Sequence, residues 1–158
     1  MKKVYKAGSW HNSFLGYCMN KGDTIIIVED DPDDQDVLRE VFHELGVQKR
    51  LVFFSDSNSA YNYLMSVEEK PFIILCDINL PKVNGIELKQ KIDGTDLLRR
   101  KAIPFVFLTT ADNPATVDKA YSIINLQGYF RKGYLLNEIR ECIKCIMAYW
   151  SHALHPNT

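Results

Sequence analysis

Two hydrophobic periods alternate along the chain, which indicates strands alternating with helices. Five short apolar runs, rich in β-branched and aromatic residues, are typical of buried strands. They are TIIIVE (24–29), RLVFF (50–54), FIILCD (72–77), IPFVFLT (103–109) and GYFR (128–131). Between and after them, apolar residues recur every three or four positions, as on one face of a helix. Five strands alternating with five helices predict a parallel sheet covered by helices on both faces.

The acidic stretch EDDPDD (29–34) has two interpretations. As a helix start, it offers Asp31 as the cap, Pro32 at the first position and acids in the first turn. That interpretation leaves Glu29 and Asp30, at the tail of a buried strand, without an explanation. A carboxylate in such a place is costly unless another group offsets its charge.

Polar side chains stand where the predicted strands end, and ligands bind at the carboxyl ends of such strands. They are Glu29 and Asp30 after the first strand, Asp77 after the third, Thr109 and Thr110 after the fourth, and Lys132 after the fifth. Three carboxylates brought together would repel one another, and a hard divalent cation such as Mg²⁺ would offset that repulsion. Taken singly, Asp77 has an alternative interpretation as a strand-end cap and Lys132 as a solvated lysine. Their joint arrangement predicts a metal-assisted site.

Length and charge narrow the class of protein. The 158 residues suit one domain. A net charge of -1, from 19 basic and 20 acidic residues, gives no general attraction to nucleic acid or anionic membranes. No apolar run approaches the roughly 20 residues of a membrane span. We predict a flexible N-terminal arm or tag over 1–22, one domain over 23–152, a tail over 153–158 and, by default, a cytoplasmic location.

The cysteines favour a packing role over metal or redox chemistry. Cys142 and Cys145 have the C-x-x-C spacing of metal and redox sites. They lie, however, in an amphipathic helical pattern, and the other two cysteines, Cys18 and Cys76, do not form a second ligand pair.

Four segments, in order, resemble the receiver domain of response regulators in two-component signalling. They are IIIVEDDPDD, LCDINLPKVNG, FLTTA and GYFRKG, and the similarity covers about residues 23–150. The resemblance implies a flavodoxin-like (βα)5 fold with strand order 2-1-3-4-5. Details such as EDDPDD, INLPKVNG and LTTAD also resemble the single-domain regulators that work with phytochrome-type histidine kinases.

The resemblance also implies a role for each site residue. Asp77 is the phosphoacceptor, Asp30 the main Mg²⁺ ligand, Glu29 a ligand through water, Asn79 a main-chain carbonyl ligand, Thr110 the switch hydroxyl, Lys132 the phosphoryl-binding lysine and Tyr129 the switch aromatic. One departure is Gly133, where most receivers have proline. Glycine permits the loop geometry without enforcing it, so Lys132 is expected to be held less tightly.

The expected function is signalling rather than enzymatic catalysis. A phosphohistidine of a sensor histidine kinase or phosphotransfer protein would donate its phosphoryl group to Asp77. Few residues follow Trp150, so output is expected through protein contacts, a homodimer among them. The expected surface combines the fourth predicted helix, the fifth strand and the last helix. Tyr121, Tyr149 and Trp150 are hard to bury all at once, so an exposed aromatic cluster is expected there.

Three other classes share parts of this pattern. A flavodoxin-like electron carrier would place a flavin phosphate at the first loop, where EDDPDD would repel it. A haloacid-dehalogenase-like phosphatase needs a second aspartate two positions after the nucleophile, where this chain has Asn79. A receiver-shaped binding module that works without phosphorylation is supported only by Gly133.

Overall fold

The computed structural model of the protein describes residues 22–123 and 125–153. The predicted N-terminal arm, apart from Gly22, and the predicted tail beyond Ala153 lie outside these ranges, as does Cys18. No helix within the described ranges is long and apolar enough to cross a membrane.

The described residues contain five strands, which form one parallel sheet in the order β2-β1-β3-β4-β5. They are β1 (Thr24–Val28), β2 (Arg50–Phe54), β3 (Ile73–Cys76), β4 (Phe105–Thr109) and β5 (Gly128–Arg131). The predicted flavodoxin-like α/β fold and strand order are confirmed. The first and third strands end one residue earlier than predicted, so Glu29 and Asp77 lie just beyond the sheet rather than within it.

Six helices lie in the described ranges, one more than the sequence pattern predicts. They are α1 (Pro32–Glu44), α2 (Ser57–Ser66), α3 (Gly85–Asp93), α4 (Asp96–Lys101), α5 (Pro114–Tyr121) and α6 (Leu136–His152). The unpredicted helix, α4, has six residues and buries only Leu98. A helix this short shows too little periodicity for its pattern to be recognised.

The strands are apolar throughout because both faces of the sheet are covered. In β1, Ile25 and Ile27 pack on one side and Ile26 and Val28 on the other. The first side is closed by α1 and α6, and the second by α2, α3, α4 and α5. The helical residues in these two layers are Leu38, Val41, Phe42, Ile139, Ile143, Ile146 and Trp150 on the first side, and Ala60, Leu64, Ile86, Leu88, Ile92, Leu98 and Ala120 on the second. This two-layer cover leaves the strand ends as the place for polar side chains.

The beginning of α1 has the predicted cap. The Asp31 side chain accepts a hydrogen bond from the Asp33 main-chain N–H at 2.9 Å, and Pro32 occupies the first helical position. This geometry places Asp34 in the first turn of a helix that starts at the carboxyl end of β1.

One expected surface aromatic is in the core. Trp150 is only 8% exposed, because the last turns of α6 pack it against the layer shared with α1. Tyr121 and Tyr149 are each 62% exposed, as predicted. The ring of Tyr149 lies edge-on to Trp150, with 5.1 Å between the ring centroids.

Candidate functional site

Three carboxylates meet at the carboxyl edge of the sheet. Glu29 and Asp30 follow β1, and Asp77 follows β3, the strand that pairs with it. One ligand oxygen from each residue lies within 4.8 Å of the others. Glu29 and Asp77 are buried and Asp30 is exposed. A group of hard oxygen donors this close, open to solvent on one side, fits a divalent cation that retains water ligands.

Gly85 allows the loop after Asp77 to close on the strand end. Its main-chain N–H donates to the Ile78 carbonyl at 3.0 Å, at the start of α3. A Cβ at position 85 would lie only 2.2 Å from the Asp77 carbonyl oxygen. Any residue but glycine would therefore push this loop away from the candidate phosphoacceptor.

The two oxygens of the Asp77 carboxylate have different surroundings. Oδ1 accepts hydrogen bonds from the Thr109 hydroxyl at 2.5 Å and from the Asn79 main-chain N–H at 3.2 Å. No hydrogen bond within the described ranges ends on Oδ2. The carboxylate is therefore fixed through one oxygen, and the other is available to a ligand.

Lys132 lies in the site beside two carboxylates. Its Nζ atom donates to Glu29 Oε2 at 2.5 Å and to Asp34 Oδ2 at 2.6 Å. Burial raises the pKa of the Glu29 carboxyl, and the contact with Lys132 offsets only part of that effect. Burial alone would lower the pKa of Lys132, but its hydrogen bonds to Asp34 and Glu29 outweigh this, so its pKa is raised. Lys132 therefore stays charged and bridges the first helix to the acidic group.

The two predicted switch residues lie on or just beyond neighbouring strands, β4 and β5. Thr110 follows β4 directly and is partly exposed. Tyr129, in β5, donates its hydroxyl proton to the carbonyl oxygen of Ala111, the residue after Thr110. The Tyr129 ring stacks on the exposed Tyr121 of α5, with 6.2 Å between centroids. Burial, together with the nearby Asp112 carboxylate, raises the pKa of the Tyr129 hydroxyl, which keeps it protonated as a donor.

Gly133 has a local partner that the sequence pattern does not reveal. Glu138, in the first turn of α6, accepts hydrogen bonds from the main-chain N–H groups of Tyr134 at 2.9 Å and Leu135 at 3.2 Å. A Cβ at position 133 would lie 2.3 Å from the Glu138 Cβ and 2.7 Å from its Oε2. The missing proline is therefore accompanied by a side-chain cap that fixes the loop after Lys132.

The C-x-x-C pair lies on a helix, and no third His, Cys, Asp or Glu among the described residues joins it to form a metal site. Cys142 is partly buried and Cys145 is exposed, both as free thiols on α6. Burial raises the pKa of Cys142 to about 11. Among the described residues, the acidic group is the one place where three potential ligands of this kind come together.

The family model described as the response regulator receiver domain matches residues 25–144. The chain belongs to this family. It is a response regulator of two-component signalling. Receiver domains of this family accept phosphoryl groups from histidine kinases. The acidic pocket of this chain is compatible with Mg²⁺ and phosphorylation. The predicted family is therefore confirmed.

Similar proteins include regulators of the phytochrome group that the sequence resembles. Response regulator Rcp1 of Synechocystis sp. is 29% identical over 136 residues, which cover 83% of this chain and 90% of Rcp1. The phosphorylated cyanobacterial phytochrome response regulator RcpA superposes with a TM-score of 0.76 at 28% identity, covering 86% of this chain and 99% of RcpA. A Mn²⁺-bound form of Rcp1 superposes with a TM-score of 0.71 at 28% identity, covering 83% of this chain and 96% of Rcp1.

The structure brings together most of the predicted site and adds residues to it. Glu29, Asp30 and Asp77 form one cluster, and Lys132 contacts it through Glu29. Asn79 is exposed and contacts Asp77 through its N–H, so its role as a carbonyl ligand stays a prediction. Roles in the site for Thr109, Asp34 and Glu138 did not follow from the sequence. Asp34 was interpreted only as an acid in a helix turn, and the start of α1 at the end of β1 was the signal that it also faces the site.

Proposed function

We propose that this receiver accepts a phosphoryl group on Asp77 from the phosphohistidine of a sensor histidine kinase or phosphotransfer protein. The observation that carries this proposal is the asymmetry of the Asp77 carboxylate, which has Oδ1 fixed by two donors and Oδ2 left available. A carboxylate with one oriented oxygen can act as a nucleophile toward phosphorus and form an aspartyl phosphate.

The surrounding residues supply the charge that this transfer needs. Phosphoryl transfer depends mainly on positioning and on stabilising negative charge. We propose that Asp30 and Asp77 hold Mg²⁺ directly, that Glu29 assists through water and that Asn79 contributes its main-chain carbonyl. When bound, the ion would neutralise the carboxylates and stabilise charge on the phosphoryl oxygens.

Lys132 is proposed as the phosphoryl-binding lysine. It is buried and charged, and it already contacts Glu29, a member of the acidic cluster. Its second contact, Asp34, lies in the first turn of α1, and the Asp34 side chain is 39% exposed. We propose that Lys132 exchanges Asp34 for a phosphoryl oxygen, because a dianionic group competes well with one partly solvated carboxylate.

The signal is proposed to reach the surface formed by α5, β5 and α6, called here the α5–β5–α6 surface. Thr110 would turn toward a phosphoryl oxygen and take the adjoining Ala111 with it. Tyr129 is bonded to the Ala111 carbonyl and stacked on Tyr121, so this motion would alter an exposed aromatic patch. Phosphorylation would thereby bias a two-state surface that a partner or a second copy of the chain can recognise.

The competing proposal, a binding module that works without phosphorylation, rests on Gly133 alone. Gly133 does not leave the loop after Lys132 unconstrained, since Glu138 accepts hydrogen bonds from the two following N–H groups. Gly133 also leaves the space that the Glu138 side chain occupies.

The test is phosphorylation by a small donor. The protein is incubated with acetyl phosphate and Mg²⁺, and intact mass is measured before and after treatment with base. We expect one base-labile phosphoryl group in the wild type and none in Asp77→Asn. The same modification in Asp77→Asn would refute the proposed phosphoacceptor.

A further inference from the structure

Ser57 is a buried serine on α2 whose hydroxyl reaches the loop after the candidate phosphoacceptor. It is 1% exposed, and its Oγ donates to the Val83 carbonyl oxygen at 2.7 Å. The hydroxyl is not needed to begin the helix, because the Asp56 side chain caps α2 by accepting from the Ser59 main-chain N–H at 2.9 Å. A buried hydroxyl costs free energy unless it is hydrogen-bonded, so the contact with Val83 accounts for a serine at this position.

The loop that Ser57 contacts, over 78–84, joins Asp77 to α3. Two side chains that flank this loop in the chain also bond to it, those of Asp77 and Glu87. Apart from these two, Ser57 is the one side chain in the described part of the protein that forms a hydrogen bond with the loop. Its contact therefore connects the loop to a separate element of the fold.

The loop contains a main-chain conformation that needs support. Lys82 has a φ of 65°, in the left-handed region that a lysine rarely adopts. The next residue, Val83, is the one that Ser57 holds. The pKa of the Asp56 carboxyl is lowered, mainly by its hydrogen bonds from Ser59 and to a smaller extent by the Lys82 charge, so Lys82 is also attracted to the start of α2. Two neighbouring residues at the start of α2 thus hold two neighbouring residues of the loop.

We propose that Ser57 is a positioning residue for the divalent cation, acting through the loop that carries Asn79. This inference rests on the proposed function, in which the Asn79 main-chain carbonyl is a Mg²⁺ ligand. Mg²⁺ demands a near-ideal octahedral arrangement, so a main-chain ligand contributes most when the loop is held in place before the ion binds. Ser57 supplies that restraint from α2, a helix with no residue in the acidic cluster.

Loss of the hydroxyl should weaken Mg²⁺ binding more than it slows phosphorylation of the Mg²⁺-bound protein. Without the contact to Val83, the loop would spend part of its time in conformations that do not present the Asn79 carbonyl to the ion. The apparent affinity falls by the fraction of molecules that lack the competent conformation. Saturating Mg²⁺ selects that conformation again, and Asp77 keeps its own hydrogen bond from Thr109 at 2.5 Å throughout. A general loss of stability would not separate the two effects in this way.

The experiment uses Ser57→Ala, which removes the hydroxyl and almost keeps the shape of the side chain. Ser57→Gly replaces it if circular dichroism shows that the alanine variant is not folded. Tyr61→Phe is the matched control, because the Tyr61 hydroxyl joins the same helix to Thr95 at 2.9 Å, outside the loop. The Mg²⁺ affinity of each full-length protein is measured by isothermal titration calorimetry. The initial rate of phosphorylation by acetyl phosphate is then followed by intact mass over a range of Mg²⁺ concentrations.

We expect Ser57→Ala to bind Mg²⁺ about fivefold more weakly than the wild type, as the loss of one hydrogen bond implies. Its rate at saturating Mg²⁺ should stay within about twofold of the wild-type rate, and Tyr61→Phe should match the wild type in both measurements. Three results would each overturn the role of Ser57 alone: an unchanged Mg²⁺ affinity, an equal loss in Tyr61→Phe, or a slower rate that saturating Mg²⁺ does not restore. A folded wild type that binds no Mg²⁺ and takes no phosphoryl group would overturn both this role and the proposed function.

Discussion

The ammonium group of Lys132 lies 2.6 Å from the Asp34 carboxylate, which joins the end of β5 to the first turn of α1. Its other contact, to Glu29 at 2.5 Å, is almost completely buried. Lys132 thus has one partner inside the acidic cluster and one partner outside it. The outside partner is the one that a phosphoryl group can replace without removing charge from the metal-binding residues.

Asp34→Asn should make phosphorylation more favourable. The substitution weakens one competitor for Lys132, and a partly exposed ion pair contributes roughly 0.2–1 kcal/mol. The fraction of protein phosphorylated at a limiting acetyl phosphate concentration should therefore rise by up to about fivefold. Asp33→Asn is the control, because it removes the same charge from the same helical turn. Equal effects of the two substitutions would show that net charge, rather than the Lys132 contact, is responsible.

Much of this site was predictable because parallel strands deliver their carboxyl ends to one edge. Glu29, Asp30 and Asp77 could be placed together from strand order alone, and the structure places them so. The partners of Lys132 and Asp77 could not be predicted in the same way. Whether Thr109 or Thr110 faces Asp77 depends on the register and twist at the end of β4, which residue type does not reveal.

Tertiary packing that the residue types do not reveal also explains the burial of Trp150 and the contact between Glu138 and Gly133. Trp150 was expected at the surface because α6 carries more apolar residues than a narrow stripe needs. The helix continues to His152, however, and its last turn still packs on the sheet layer. Glu138 was an ordinary first-turn acid in the sequence, and only the path of the loop after Lys132 brings it against Gly133.

Asp30→Ala should weaken Mg²⁺ binding and slow phosphorylation together. Asp30 is the exposed member of the cluster and has no assigned role in starting α1, whose cap is Asp31. We expect the affinity for Mg²⁺, measured by isothermal titration calorimetry, to fall by at least about tenfold, as is typical of metal-site substitutions. Asp33→Ala, in the same acidic stretch, should bind Mg²⁺ normally. Unchanged affinity in Asp30→Ala would mean that Asp30 is not a ligand.

Gly133 and Glu138 should act as one structural unit. Glu138→Ala removes the acceptor for two main-chain N–H groups at the start of α6 and should cost about 1 kcal/mol of unfolding free energy. Gly133→Ala should cost a similar amount, since its Cβ would displace the Glu138 side chain.

A double-mutant cycle measured by urea unfolding tests this coupling. The double variant should lose clearly less stability than the sum of the two single losses, because both remove the same cap. Glu141→Ala, on an exposed turn of the same helix, should combine additively with Gly133→Ala. Additive losses for Gly133→Ala and Glu138→Ala would contradict the shared role.

Cys142 and Cys145 should behave as independent thiols with different reactivity. The thiolate is the reactive form, and burial raises the pKa of Cys142 to about 11. At pH 8 iodoacetamide should therefore modify the exposed Cys145 first, and the rate at Cys142 should keep rising as the pH approaches 11. Peptide mapping by mass spectrometry distinguishes the two sites. Protection of both thiols together, lifted by a chelator, would instead indicate a shared metal.

The final prediction concerns self-association through the α5–β5–α6 surface. Tyr121 and Tyr149 expose most of their rings there, and exposed aromatic groups are typical of protein contact surfaces. Tyr129 joins this surface to the site through its hydrogen bond to the Ala111 carbonyl. Beryllium fluoride with Mg²⁺ mimics the phosphoryl group, and we expect it to shift the sedimentation coefficient in analytical ultracentrifugation.

Tyr129→Phe should reduce that shift while leaving the ring stack on Tyr121 in place. The substitution removes only the hydroxyl, so the surface keeps its shape but loses its connection to the loop that carries Thr110. Tyr61→Phe is the matched control, because the Tyr61 hydroxyl makes its own contact with Thr95 at 2.9 Å, away from this surface. A full shift in Tyr129→Phe would show that the site does not communicate through this hydrogen bond. A wild type whose association state is indifferent to the mimic would refute coupling between the site and self-association.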